Sequence, residues 1–204
     1  MTIAAVVFDL GGVVFRYHPE RRFEGFAGAT GLAAADVRKR FMDSGYSRSC
    51  DAGRLDADGA YREGVRLLGS RLGMRRFRDL WIAAFEPDDA VVALARRLRT
   101  EAKVPLAMLT NNSALVRTGL EDRHAGVLDL FRPRLFSAEA GLLKPDPRLF
   151  RTLLTLLGLE GHQVLYVDDD PVHADAAAAL GFAGLHFTGA DALADRLGAA
   201  GLLA

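Results

Sequence analysis

From Pro87 to the C-terminus, short apolar runs alternate with amphipathic stretches, and nothing else in the chain restricts its fold as much. Val104–Leu109, Leu135–Ser137, Val164–Val167 and Leu185–Phe187 have the length and content of buried strands. Between them, Asp89–Arg99, Pro147–Leu157, Pro171–Leu180 and Ala190–Leu197 read as helices, and a less regular helix follows Asn112. Such alternation implies a parallel sheet with right-handed crossovers and helices on its faces. The fold class expected is therefore α/β.

One further strand lies at the N-terminus. The run Ala4 to Phe8 stops abruptly at Asp9, Gly11-Gly12 follow, and a second apolar run leads to Phe15, so that Thr2 to Phe15 reads strand–turn–strand. From Arg16 to Glu86 the character changes. Helical periodicity predicts helices over Glu20–Ala29, Ala33–Met42, Asp58–Leu72 and Arg75–Phe85, with a loop over Ser44–Gly53. The expected organisation is a core from residues 1–16 and 87–204 interrupted by a small α-helical insert over 17–86. The insert joins on the ligand side of the sheet, which makes it a candidate lid.

Three strands end in polar residues: Asp9, Thr110-Asn111 and Asp168-Asp169-Asp170. In a parallel sheet these ends share one edge, the edge at which such sheets bind ligands. Three adjacent carboxylates repel one another, and a cation relieves the repulsion. Asp170 before Pro171 is an ordinary helix cap. Asp168 and Asp169, with Asp9, supply the hard oxygen ligands that suit Mg²⁺. The Thr110 hydroxyl and the backbone N–H groups after it suit phosphate oxygens. Lys144, in a loop stiffened by Pro145 and Pro147, is placed to neutralise the carboxylates and pair with a phosphate.

These pieces, in this order, resemble the haloacid dehalogenase-like (HAD) hydrolase superfamily over nearly the whole chain. Phe8-Asp9-Leu10-Gly11-Gly12-Val13 is similar to its first motif and Leu109-Thr110-Asn111 to its second. Lys144-Pro145-Asp146 is similar to the third and Val167-Asp168-Asp169 to the fourth. The insert is similar to the α-helical caps placed between motifs one and two, as in the sugar-phosphatase-like and epoxide-hydrolase-N-terminal-like branch. The resemblance implies a Rossmann-like core and a Mg²⁺-dependent phosphatase of small phosphomonoesters, sugar phosphates among them. It implies Asp9 as nucleophile forming an aspartyl-phosphate, with Thr110 and Asn111 on the phosphoryl oxygens and Lys144 offsetting charge. Asp9, Asp169 and the Gly11 carbonyl are implied metal ligands, with Asp168 a ligand directly or through water.

Two positions depart from the pattern, the smaller departure being His173, where the fourth motif often carries Asp or Asn. The usual proton donor, an Asp two residues after the nucleophile, is here Gly11, and general acid–base catalysis is worth roughly 10²- to 10⁴-fold. His18, His173 or a residue of the insert would have to supply the proton, unless the leaving group needs no help. Two other readings stay open: a metal-independent dehalogenase of 2-haloacids, whose halide leaves without a proton, and a catalytically impaired binding module. The insert should choose the substrate. Tyr46 and Arg48, in the expected loop, are its candidate substrate-binding residues, with Tyr17 and His18 nearby. Trp81, in register with Phe77 and Phe85, reads as core.

Charge and composition narrow the partners. Lys+Arg and Asp+Glu both number 26, which removes the excess positive charge that a nucleic-acid or membrane-surface binder needs. The single cysteine, Cys50, allows no internal disulfide, and no base accompanies it in sequence. The apolar run broken by Asp9 is neither a signal peptide nor a membrane span. The expected partner is a small phosphorylated metabolite, with no nucleic acid and no membrane. The chain is expected in the cytoplasm as a monomer or a homodimer.

Overall fold

The computed structural model describes residues 2–203. In chain order the elements begin β1 (Ala5–Phe8), β2 (Phe15–Tyr17), α1 (Pro19–Thr30), α2 (Ala34–Met42), α3 (Tyr46–Asp51), α4 (Ala57–Leu68), α5 (Met74–Ile82) and β3 (Phe85–Pro87). They continue with α6 (Asp89–Arg97), a π-helical turn (Leu98–Ala102), β4 (Leu106–Thr110), α7 (Ala114–Leu128), β5 (Arg134–Phe136) and α8 (Ser137–Ala140). The last are α9 (Pro147–Leu157), a 3₁₀ turn (Gly161–Gln163), β6 (Val164–Asp168), α10 (Pro171–Ala178), β7 (Ala183–His186) and α11 (Ala190–Ala199).

The five-stranded sheet runs β5-β4-β1-β6-β7, and every pairing is parallel. This is the Rossmann-like α/β architecture. β1 is central, with Val6 opposite both Leu106 and Leu165. All of β1, β4 and β6 is buried, as expected of strands covered on both faces. Side chains alternate between two cores. Val6, Phe8, Leu106, Met108, Leu165 and Val167 face α6, α7, α11 and the helical segment, whereas Val7, Ala107, Leu109 and Tyr166 face α9 and α10. Because β1 has β4 on one side and β6 on the other, the chain reverses direction across the sheet at β1. That reversal opens a crevice beyond the carboxyl ends of these strands.

Two stretches differ from the sequence expectation. Ser44–Gly53 is not a loop, because α3 occupies Tyr46–Asp51. Its Ser-rich sequence has little helix propensity. Tertiary contacts hold it instead: the Tyr46 ring lies 5.1 Å from Phe41 and 5.5 Å from Trp81, and its hydroxyl donates to the Ala60 carbonyl at 2.6 Å. The helix expected to reach Phe85 ends at Ile82, and Phe85–Pro87 pairs antiparallel with β2. The ribbon puts Tyr17 opposite Phe85 and ties both ends of the helical segment together above β1. A second tie joins α5 to α7. Arg78 pairs with Asp122, and a Cβ on Gly119 would stand 2.6 Å from Ile82 Cγ2, so the two helices touch at backbone range.

Candidate active site

Asp9, Thr110 and Asp168 end the neighbouring strands β1, β4 and β6, or follow them directly, so the sheet brings all three to one crevice. The loop after α8 delivers Lys144 between the two carboxylates. Its Nζ is 3.0 Å from Asp9 Oδ1 and 2.6 Å from Asp168 Oδ2, and the side chain is 1% exposed. Burial disfavours a charged lysine, but the Asp9 and Asp168 charges outweigh it and hold the ammonium above its usual range.

The two carboxylates are unequal. Asp168 Oδ2 also accepts from the Tyr166 hydroxyl, and Oδ1 accepts from Asp170 N at 3.0 Å and faces His173 Nδ1 at 3.2 Å. Burial pushes Asp168 up, yet the His173 hydrogen bond and the Lys144 charge hold it well below the usual carboxylate range. Burial raises Asp9 further than Lys144 can offset. Its Oδ1 is buried and, despite the nearby ammonium, accepts no hydrogen bond of good geometry.

Asp169 completes an oxygen cluster. One oxygen each of Asp9, Asp168 and Asp169 lies within 4.8 Å of the others. Burial and the Asp168 charge raise Asp169 as well. Its carboxylate rests against Gly12, where an added Cβ would meet Oδ2 at 2.1 Å and where φ is +86°. Only glycine leaves this approach open. A hard divalent cation fits these observations, because it supplies positive charge to the raised Asp9 and Asp169 carboxylates that the single Lys144 ammonium does not fully offset. Asp170 is a cap, accepting from Val172 N at 2.8 Å.

In the loop after β4, Thr110 is buried and its hydroxyl accepts from Asn112 Nδ2 at 2.7 Å. The Asn111 side chain is engaged elsewhere. Its Oδ1 accepts from Lys144 N at 2.8 Å and its Nδ2 donates to Lys144 O at 3.1 Å, so it clasps the backbone that presents the lysine. Ser113 caps α7.

The crevice is a cavity of about 290 Å³ whose floor includes Asp9, Gly11, Thr110, Asn111, Lys144 and Asp169. The helical segment and its ribbon supply the roof: Tyr17, Arg22, Asp51, Trp81 and Phe85. Tyr46 and Arg48 do not line it. Tyr46 is 4% exposed inside the aromatic core of the segment, and Arg48 is on the exposed side of α3. The helix turns Asp51 to the cavity instead. Trp81 is core, as its spacing implies, and also reaches the cavity. His18 stays outside the cavity, with Nδ1 3.4 Å from Glu20 and Nε2 4.0 Å from Glu86. Burial pushes the Cys50 thiol up to about 12, so it offers no nucleophile.

Sequence reasoning missed Arg22 and Asp51. Arg22 carried a signal: it precedes buried Phe26 by one helical turn, a charge on the apolar face of α1. Asp51 carried none, because its segment did not read as a helix. Burial pushes its carboxyl up to about 7, against the pull of the Arg22 charge and a hydrogen bond from Ser113 N–H. At Gly11 an added Cβ would stand 3.3 Å from Phe85 Cε1. The β2–β3 ribbon thus crowds the place where a second acid would stand.

Residues 3–181 match the family model described as haloacid dehalogenase-like hydrolase. A sesquiterpene phosphatase from Aspergillus oryzae is 29% identical over 193 residues, covering 92% of this chain and 91% of its own. A phosphatase from Mycobacterium tuberculosis is 31% identical, covering 83% of this chain and 80% of its own. Among solved structures, a HAD family enzyme from Bacteroides thetaiotaomicron, in complex with magnesium and inorganic phosphate, superposes with a TM-score of 0.77 at 19% identity. It covers 88% of this chain and 91% of its own, a likeness of fold.

Proposed function

Since the chain belongs to the haloacid dehalogenase-like hydrolases, we propose that it is a Mg²⁺-dependent phosphatase of small phosphomonoesters, sugar phosphates among them. The observation that carries this reading is Asp9: a buried carboxylate at the centre of the crevice, ion-paired to Lys144 through an oxygen that accepts no well-aligned hydrogen bond, facing a cavity beside two further carboxylates. The names of the two phosphatase relatives support the reaction class. Residues 17–86 act as a cap over the site, and the chain works on a phosphorylated metabolite in the cytoplasm, as a monomer or a homodimer.

In this mechanism the Asp9 carboxylate attacks phosphorus. The Asp9 oxygen–phosphorus bond forms as the ester oxygen–phosphorus bond breaks, leaving an aspartyl-phosphate. The Thr110 hydroxyl and the backbone N–H groups after it hold the phosphoryl oxygens, and Lys144 offsets their charge. Asn111 acts through the Lys144 backbone. Asp51 takes the role that Gly11 cannot: its carboxyl, protonated up to about pH 7, gives its proton to the leaving oxygen. The carboxylate so formed then takes a proton from the water that attacks phosphorus and frees Asp9. Asp9, Asp169, the Gly11 carbonyl and, directly or through water, Asp168 would hold Mg²⁺, which would supply charge neutralisation and a template for the phosphate.

Release of inorganic phosphate from a panel of phosphate esters tests the reading. Turnover should need Mg²⁺ and stop in EDTA. Full phosphate release in EDTA would overturn the Mg²⁺ requirement, and halide release from 2-haloacids without metal would replace the reading with the dehalogenase one. That alternative leaves the Asp169–Gly12 contact without a purpose.

A further inference from the structure

Arg22 is a cation buried without a counter-ion. It is 5% exposed, yet it lines the cavity. Its Nε donates to the Trp81 carbonyl at 2.8 Å, and its guanidinium carbon lies 4.3 Å from the Trp81 ring centroid. The Tyr17 and Phe85 rings flank it at 5.7 and 5.9 Å. Its terminal nitrogens make no hydrogen bond among the described residues, and no described carboxylate oxygen lies within 4.0 Å of it. Asp51, the acid whose charge it feels, is held by Ser113 N–H instead. Cation–π contact recovers part of the cost of burying a guanidinium. The rest requires an anion.

The phosphoryl group under attack is not the natural candidate for that anion, because the floor already provides Lys144, Thr110 and a cation site for it. The cavity, about 290 Å³, has room for more than a phosphoryl group, since a water's share of liquid volume is about 30 Å³. We propose that Arg22 receives a second anionic group of the substrate, so that the preferred substrates are phosphate esters that also carry a carboxylate or a second phosphoryl group. The inference rests on the phosphatase reading. A neutral hydroxyl would leave the guanidinium uncompensated. Asp51, neutral below about pH 7, competes for it only as the pH rises through that value.

The test compares kcat/KM for 3-phosphoglycerate, the 1,3-bisphosphate of glycerol and glycerol 3-phosphate, which share a backbone and differ in the second group. The expected preference for one or both bis-anionic esters is about tenfold to a hundredfold, the range for a hydrogen bond to a charged group. The carboxylate and phosphate arms tell which anion the site takes. Arg22→Met keeps the stem on Trp81 and removes the charge. It should collapse the preference to about one through KM, and Arg22→Lys should restore part of it. Fluorescence of Trp81, the chain's one tryptophan, reports binding without turnover. In Asp9→Asn, 3-phosphoglycerate should perturb it at lower concentration than glycerol 3-phosphate, and Arg22→Met should erase the difference. The proposal is overturned if wild type handles glycerol 3-phosphate as well as both bis-anionic esters. Equal loss on all three esters in Arg22→Met would also overturn it. If Arg22→Met fails to fold, the wild-type ratio and the fluorescence titration decide alone. If no ester is hydrolysed, the phosphatase reading fails, while the titration still reports whether Arg22 binds anions.

Discussion

The floor and the roof of the cavity are built on opposite principles. On the floor, nearly every charge has a protein partner: Lys144 lies between Asp9 and Asp168, and Asp168 is also met by Tyr166, His173 and the Asp170 N–H. Each group hangs on a strand end or a proline-bound loop, so its position is held before anything binds. The roof is ring surface, the Tyr17 ring included, with one basic and one acidic side chain, Arg22 and Asp51, neither within ion-pair range of an opposite charge among the described residues. A floor of that kind stabilises charge that develops in the transition state. A roof of that kind waits for groups on the substrate. The contrast assigns the nucleophile, the metal site and the grip on the phosphoryl group to the sheet, and proton transfer and choice of substrate to the helices.

Substitutions on each side should break different quantities. Asp9→Asn should remove turnover, by on the order of 10⁴-fold or more, with phosphate release as the measure. Asp51→Asn should lower kcat by about 10²- to 10³-fold for alkyl phosphates, and less for p-nitrophenyl phosphate, whose leaving group needs little help. Because Asp51 must be protonated to act as an acid, the wild-type rate should fall as pH rises through about 7, and Asp51→Asn should lose that alkaline limb. An unchanged pH profile would remove Asp51 from proton transfer.

Gly12→Ala forces a Cβ onto the Asp169 carboxylate at a backbone angle that suits glycine. Mg²⁺ titration of activity should show an apparent affinity weakened by about 10- to 100-fold. The smallest effect belongs to Gly11→Asp. Restoring the usual acid there should not raise kcat, because the Phe85 ring crowds the new side chain, and overpacking should lower thermal stability by about 1–3 kcal/mol. Paired with Phe85→Ala, the same substitution should give a measurable gain over Phe85→Ala alone.

The floor was legible in the sequence because its residues follow strands. Once β1, β4 and β6 are recognised, parallel topology alone brings Asp9, Thr110 and Asp168 to one edge. Spacing could not show how they share partners, such as the Asn111 clasp on Lys144. The roof was largely illegible for a physical reason. α3 exists because Tyr46 packs on Phe41 and Trp81, not because Ser-Arg-Ser favours a helix, so Asp51 passed as a loop residue and Tyr46 as one that binds substrate. Phe85 continued the helical spacing of Phe77 and Trp81, but a ladder with β2 overrode it. That strand explains Gly11: the missing acid was visible in the sequence, and the ring that takes its space was not.

The most direct test of the account is a single-turnover acid quench with a radiolabelled phosphate ester in Mg²⁺. The account predicts label retained on the protein as an acyl phosphate, sensitive to hydroxylamine, and absent in Asp9→Asn. Ester hydrolysis with no labelled protein at any quench time, and undiminished in Asp9→Asn, would contradict it.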